Sequence, residues 1–197
     1  MKLIIVQGMS CLGKSTLCKY LQDKMFNSIY LSIDKYKENI WDKFGFNTVE
    51  RREELSSIAK NIFICDLINY INNKKYNYVI IDYVFQGKFW NDILSVLKYK
   101  DISISTIYLK PKNMDEHREA WEKRSRDFTV RHPGHGATTY NNLDGTGTLY
   151  VNNFDDKINI GELPTLGNIM TVDVKFKPEY KLSKSKDTIL NFATAQL

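Results

Sequence analysis

The order of apolar segments predicts an α/β domain, with a five-stranded parallel sheet and helices on both faces. Three observations carry this. Short runs rich in Ile, Val and Tyr alternate with longer amphipathic stretches, the crossovers that parallel neighbours require. A glycine-bearing loop, Gly8 to Thr16, joins the first apolar run to the first helical stretch. The 197 residues, 43% of them hydrophobic, suit one domain with a full core, residues 1–197.

In chain order, "KLIIV" reads as a short buried strand. Residues 15–25 follow as a helix, with Leu17, Tyr20, Leu21 and Met25 at i, i+3, i+4 and i+8. "SIYLSID" (28–34) is the second strand, and residues 49–72 are helical, with Ile58, Ile62, Cys65, Leu67 and Ile68 as apolar members. "YNYVIID" (76–82) is the third strand, then come a helix near 87–97 and "ISISTIYL" (102–109). A charged helix over 113–126 leads into a turn-rich stretch, "IMTVDV" (169–174) and a last helix near 184–193. In such sheets ligands bind beyond the carboxyl ends of the strands, which locates the chemistry.

The loop after the first strand is the most specific signal. Gly8, four residues, Gly13, Lys14 and Ser15 match the phosphate-loop pattern. The amides of Gly8, Ser10, Cys11, Leu12, Gly13 and Thr16 can curl around phosphate oxygens, Lys14 reaches the β/γ-phosphates and the Ser15 hydroxyl suits Mg²⁺. The helix that begins there adds its positive N-terminal end. A nucleoside triphosphate, ATP with Mg²⁺, is the ligand this predicts.

The net charge of +5 is too small to argue by itself for nucleic acid. Three cysteines, Cys11, Cys18 and Cys65, have neither an even count nor metal-ligand spacing, which suits a reducing compartment. No apolar run approaches a membrane span and no cleavable leader is evident, so a cytoplasmic protein is expected. The arginines are more telling: Arg118, Arg124, Arg126 and Arg131 gather in a Lys-rich chain, and the guanidinium fork pairs with phosphate.

Three acids stand at or near strand ends. Asp34 can orient and deprotonate an attacking hydroxyl, or cap "KYKENIWDKF", and the two roles can coexist. Asp82 ends a nearly continuous apolar strand and suits either Mg²⁺ or substrate; Asp173 reads as a structural partner. Beyond the charged helix, Pro133 and four glycines (Gly134, Gly136, Gly145, Gly147) mark a break, so residues 124–167 read as a lid with a mobile insertion. Its closure would bring Arg124, Arg126 or Arg131 onto the phosphoryl group and exclude water. The span 137–167 is longer than a simple lid and is either an ordered insertion or a mobile loop. His132 and His135 lack a third ligand for a metal and suit loop structure or phosphate contact; His117 reads as exposed.

Together, the N-terminal phosphate loop, "SIDKY", "VIIDYVF" and the Arg-bearing helix resemble the small P-loop kinase superfamily. That group includes gluconate, shikimate and adenylylsulfate kinases, chloramphenicol phosphotransferase and the kinase domain of phage-type polynucleotide kinase. The resemblance covers residues 1–131 and implies ATP, Mg²⁺, an Asp near the acceptor hydroxyl and lid arginines. By it Lys14, Ser15, Asp34, Arg124 and Arg126 take those roles, in a monomer or homodimer. It implies a small-molecule hydroxyl acceptor, such as a nucleoside or nucleotide. "LSIDKYKENI" is also similar to polynucleotide 5'-kinases, which keeps a nucleic-acid 5'-end as an alternative. An ATP-hydrolysing switch without an acceptor is the non-kinase reading.

Overall fold

The computed structural model describes residues 1–84, 87–98, 100–125, 127, 131–149 and 164–195. Strands β1 (Lys2–Gly8), β2 (Ser28–Ser32), β3 (Tyr78–Tyr83), β4 (Ser103–Pro111) and β7 (Asn168–Lys175) form a parallel sheet in the order β2-β3-β1-β4-β7. The two-residue β8 (Lys181–Leu182) pairs antiparallel on the β7 edge, so the sheet has six strands rather than five. Two residues are too few for a period-2 pattern, which is why the sequence did not announce β8.

Every residue of β1 is buried, as expected for a strand covered on both faces. Its side chains alternate. Leu3 and Ile5 join Val79 and Ile81 of β3 beneath α3 (Val49–Asn73) and α4 (Gly87–Leu97), with Phe63, Leu67, Phe89 and Ile93. Ile4 and Val6 join Ile80 beneath α1 (Lys14–Lys24) and α6 (Lys186–Thr194), with Leu17, Leu21 and Ile189. The Lys2 ammonium donates to the Ala195 carbonyl at 2.7 Å, tying β1 to the end of α6.

Two elements differ from expectation. β2 ends at Ser32, so Asp34 lies in the first turn of α2 (Ile33–Phe44) rather than on a strand, and Ser32 occupies the cap position. Residues 131–149 carry regular structure that the turn-rich sequence did not announce. A short 3-10 turn (Pro133–His135) leads into the β5 (Ala137–Asn141) and β6 (Thr146–Leu149) hairpin, which docks on α2. Trp41, Phe46, Leu55, Ala137 and Tyr140 make a small separate core there. Phe46 and Tyr140 exchange both backbone hydrogen bonds, at 2.9 and 2.7 Å. The remainder of the expected insertion, 150–163, lies outside the described residues, as does Arg126. No described helix is long and apolar enough to cross a membrane.

Candidate active site

The chain passes from β1 to β2 on one side and later adds β4 on the other, so β1 and β3 flank the topological switch point. The phosphate loop leaves β1 there. Gly13 closes it with φ 78°, a left-handed conformation that glycine adopts without a Cβ penalty, and α1 starts at Lys14. Cys11 also lies in the left-handed region, at φ 66°. The loop is braced from outside: the Tyr180 hydroxyl donates to the Leu12 carbonyl at 3.0 Å and would meet a Cβ placed on Gly13.

Asp82, at the end of β3, is 4% exposed and uses both oxygens. Ser15 Oγ donates to one at 2.8 Å and the Tyr30 hydroxyl to the other, also at 2.8 Å. Burial pushes the Asp82 carboxyl above its usual range, against Lys14, Ser15 and Tyr30, which stabilise its charge. Lys14 Nζ donates to the Met9 carbonyl at 2.7 Å, folding the side chain back over the loop. Burial pulls its ammonium below the usual range, opposed by Asp82 and Asp34.

Asp34 faces the same cleft, with 48% of its side chain open. The packing around it would push its carboxyl up, but His135, Lys37, Lys14 and Arg131 outweigh that and hold it down. Asp34 is therefore an anion at neutral pH. Lys37 Nζ stands 3.9 Å from Asp34 and donates to the Tyr83 hydroxyl at 2.7 Å. Burial works against the Lys37 charge, yet Tyr83 and Asp34 raise it above the usual value.

Of the expected arginines, Arg124 of α5 (Met114–Ser125) and Arg131 both line the cleft with the phosphate loop. Arg124 reaches Cys11 Sγ at 3.8 Å. Arg131 is lowered by burial and by Arg124, while Asp34 supports its charge. What holds Arg131 there is the "RHPGH" turn. His132 Nε2 meets Asp42 at 2.9 Å and its Nδ1 accepts the Gly134 amide at 3.0 Å. His135 Nε2 meets Glu38 at 3.0 Å, and the Tyr140 hydroxyl donates to Asp42 at 2.6 Å. Trp41 packs edge-on to His135 at 4.9 Å. The histidines are thus spent on α2 carboxylates and on loop structure.

His117 is a correction. It is 1% exposed, not solvated, and its Nε2 lies 2.7 Å from the Ser10 carbonyl, so α5 is pinned to the phosphate loop. Burial pulls its pKa down, which keeps it neutral. Asp173 is exposed on β7 and its backbone pairs with Ser183, away from the cleft. Tyr30 and His117 carried no signal in the sequence, because their partners lie 52 and 107 residues away. Lys37, one turn from Asp34, could have been found from helical spacing alone.

The phosphate loop, Asp34, Lys37, Asp82, His117, Arg124, Arg131 and His135 open onto one cleft of about 1160 Å³, larger than the ~300–1,000 Å³ typical of a single-ligand pocket. Lys14, Ser15, Asp82, Asp34, Arg124 and Arg131 line it together with Lys37, Arg52, Lys60 and Lys88; Lys37, Tyr83, Phe89 and Lys60 follow one another in contact, the Tyr83 and Phe89 rings 5.6 Å apart.

No protein-family model matches the chain, and no curated protein matches it in sequence. Solved structures do. A presumed kinase from Chloroflexus aurantiacus is 19% identical with a TM-score of 0.70, covering 96% of this chain and 95% of that one. A gluconokinase from Sinorhizobium meliloti is 9% identical with a TM-score of 0.50, covering 98% and 89%. The strand order, the loop after β1 and these likenesses give the chain the α/β fold of the P-loop kinases.

Proposed function

We propose that the protein is an ATP-dependent phosphotransferase that moves the γ-phosphoryl group to a hydroxyl of a small molecule, a nucleoside or nucleotide. One observation carries this reading: the phosphate loop, with Ser15 bonded to Asp82, and the anionic Asp34 open onto the same cleft, which Arg124 and Arg131 also line.

Loop amides and Lys14 would hold the β- and γ-phosphates. The Ser15 hydroxyl and the Asp82 carboxylate meet at 2.8 Å and offer only oxygen donors, which fits Mg²⁺. Among the described residues no group of three His, Cys, Asp or Glu could hold a metal, so phosphate oxygens and water would complete its shell. When bound, the cation neutralises charge on the β- and γ-oxygens. Asp34 accepts a hydrogen bond from the acceptor hydroxyl and aims its oxygen at the γ-phosphorus. As the new P–O bond forms, the bond to the β-phosphate oxygen breaks; the hydroxyl proton passes to Asp34 and ADP leaves. The depressed basicity of Asp34 suits a loose transition state, in which that proton moves late and orientation matters most. Arg124 and Arg131 place positive charge where the equatorial oxygens develop theirs. The half-buried Tyr83 gives the cleft an aromatic surface that suits a base.

The test is transfer from γ-labelled ATP with Mg²⁺ to nucleosides, nucleotides, polyols and 5'-hydroxyl oligonucleotides. Labelling of one class, reduced about 10²–10⁴-fold in Asp34→Asn with ATP binding retained, is the expected outcome. Labelling confined to oligonucleotide ends would reassign the acceptor to nucleic acid. Label released only as free phosphate would leave a hydrolytic switch, and full transfer by Lys14→Ala would refute the assignment of the loop.

A further inference from the structure

The cleft is more basic than a triphosphate and a hydroxyl require. Lys37, Arg52, Lys60 and Lys88 line it in addition to Lys14, Arg124 and Arg131, against three carboxylates, Asp34, Glu53 and Asp82. Lys14, Arg124 and Arg131 are the cations of the phosphate loop and its neighbours, which leaves the other four for a different anion.

These four cations come from three helices. Arg52, Ser56 and Lys60 stand at i, i+4 and i+8 on α3, one stripe about 12 Å long on the face turned to the cleft. Lys37 comes from α2 and Lys88 from the first turn of α4. Their engagements differ. Lys37 is held by Tyr83 and Asp34, and Arg52 donates to Glu53 at 3.0 Å and to the Ala137 carbonyl at 3.1 Å. Lys60 is half-buried, with its ammonium 5.5 Å from the centre of the Phe89 ring, and no described carboxylate pairs with it. Lys88 is exposed at the rim. A partly desolvated ammonium over an aromatic face, backed by a second cation at the rim, is a seat for an anion.

We infer that the hydroxyl acceptor carries a second, anionic group, phosphate or carboxylate, which binds Lys60 and Lys88 while its hydroxyl faces Asp34. This rests on the phosphotransferase reading above. It makes Lys60 and Lys88 specificity residues outside the phosphate loop, and it disfavours neutral polyols and unmodified nucleosides as best substrates.

The experiment compares matched acceptors with and without the anion: nucleosides against their 3'- and 5'-monophosphates, and glucitol against gluconate. The anionic member of the preferred pair should show a kcat/KM at least tenfold higher, carried mainly by KM. Lys60→Gln should cut that ratio about tenfold, the loss expected for one charge-assisted hydrogen bond, whereas Lys60→Arg should keep most of it. Lys88→Gln supplies the same test at an exposed position where folding is not at stake. The phosphate and carboxylate arms identify the anion. Equal kcat/KM within every pair, or a ratio unmoved by both Gln variants, overturns this inference and leaves the phosphotransferase standing. No labelling of any acceptor, with ATP still bound, overturns the phosphotransferase and this inference with it.

Discussion

Gly134→Ala tests whether the "RHPGH" turn is what seats Arg131 and His135 beside Asp34. A Cβ on Gly134 would stand 2.5 Å from Trp41 Cε3, 3.0 Å from Cδ2 and 3.1 Å from His132 Nδ1. Something must move. Trp41 is 3% exposed and wedged between Phe46 at 6.0 Å and His135 at 4.9 Å, so its ring has no free direction. The strain is relieved by lifting the turn, which loosens the His132–Asp42 and His135–Glu38 contacts. Overpacking of this kind costs about 1–3 kcal/mol. At about 2 kcal/mol, a domain of 197 residues should lose about 4–8 °C in Tm. Calorimetry or urea unfolding reads the loss, and label transfer should fall more than ATP binding, because Arg131 is displaced while the phosphate loop is not. The double variant Gly134→Ala/Trp41→Phe makes room for the methyl group and should recover at least 1 kcal/mol relative to additivity. A Gly134→Ala protein within 0.5 kcal/mol of wild type (about 1–2 °C) and fully active would refute this account of the turn.

Three further outcomes follow from the same geometry. Burial would raise Glu38, but hydrogen bonds from His135 and Lys35 take it from 4.5 down to about 2, while burial lowers His135 below 6.5. Both shifts mean that the unfolded chain binds more protons, so hairpin docking weakens as pH falls, first near 6.5 through His135 and then between 4.5 and about 2 through Glu38. The Glu38 part is worth up to about 3 kcal/mol, and a stability that is flat from pH 7 to 3 would contradict it. Tyr30→Phe removes one of the two donors to Asp82, so the Mg²⁺ concentration needed for half-maximal ATP binding should rise several-fold; an unchanged titration would mean that Tyr30 only packs. Replacing His117 with Ala removes the tie between α5 and Ser10 and leaves a cavity beside Phe176, which should cost about 2–4 kcal/mol in unfolding experiments and weaken ATP binding; a loss below 1 kcal/mol would return His117 to the surface role its charged helix suggested.

What the sequence determined by itself is what neighbouring residues encode. The phosphate loop is nine contiguous residues, Gly8 to Thr16, and its backbone geometry follows from Gly13 and the helix behind it. The parallel sheet was legible because β1 and β3 are buried apolar runs, and β4 carries Ile104, Ile107 and Leu109, with helices long enough to cross over between strands. Asp82 stands at the polar end of such a run, and Asp34 follows β2, where the chain turns helical two residues earlier than the pattern indicated. Tertiary structure alone decided the rest. A charged helix such as α5 has no apolar stripe to show which side faces inward, so the burial of His117 followed only from where the phosphate loop lies. The β5–β6 hairpin was hidden in a turn-rich stretch because glycine and proline mark breaks in regular structure; its docking depends on whether a partner surface exists, and Trp41, Phe46 and Leu55 supply it from 80 to 100 residues away. The basic cleft followed the same rule: Lys37, Lys60 and Lys88 are scattered in the chain, and only the packing of α2, α3 and α4 on one face of the sheet brings their charges together.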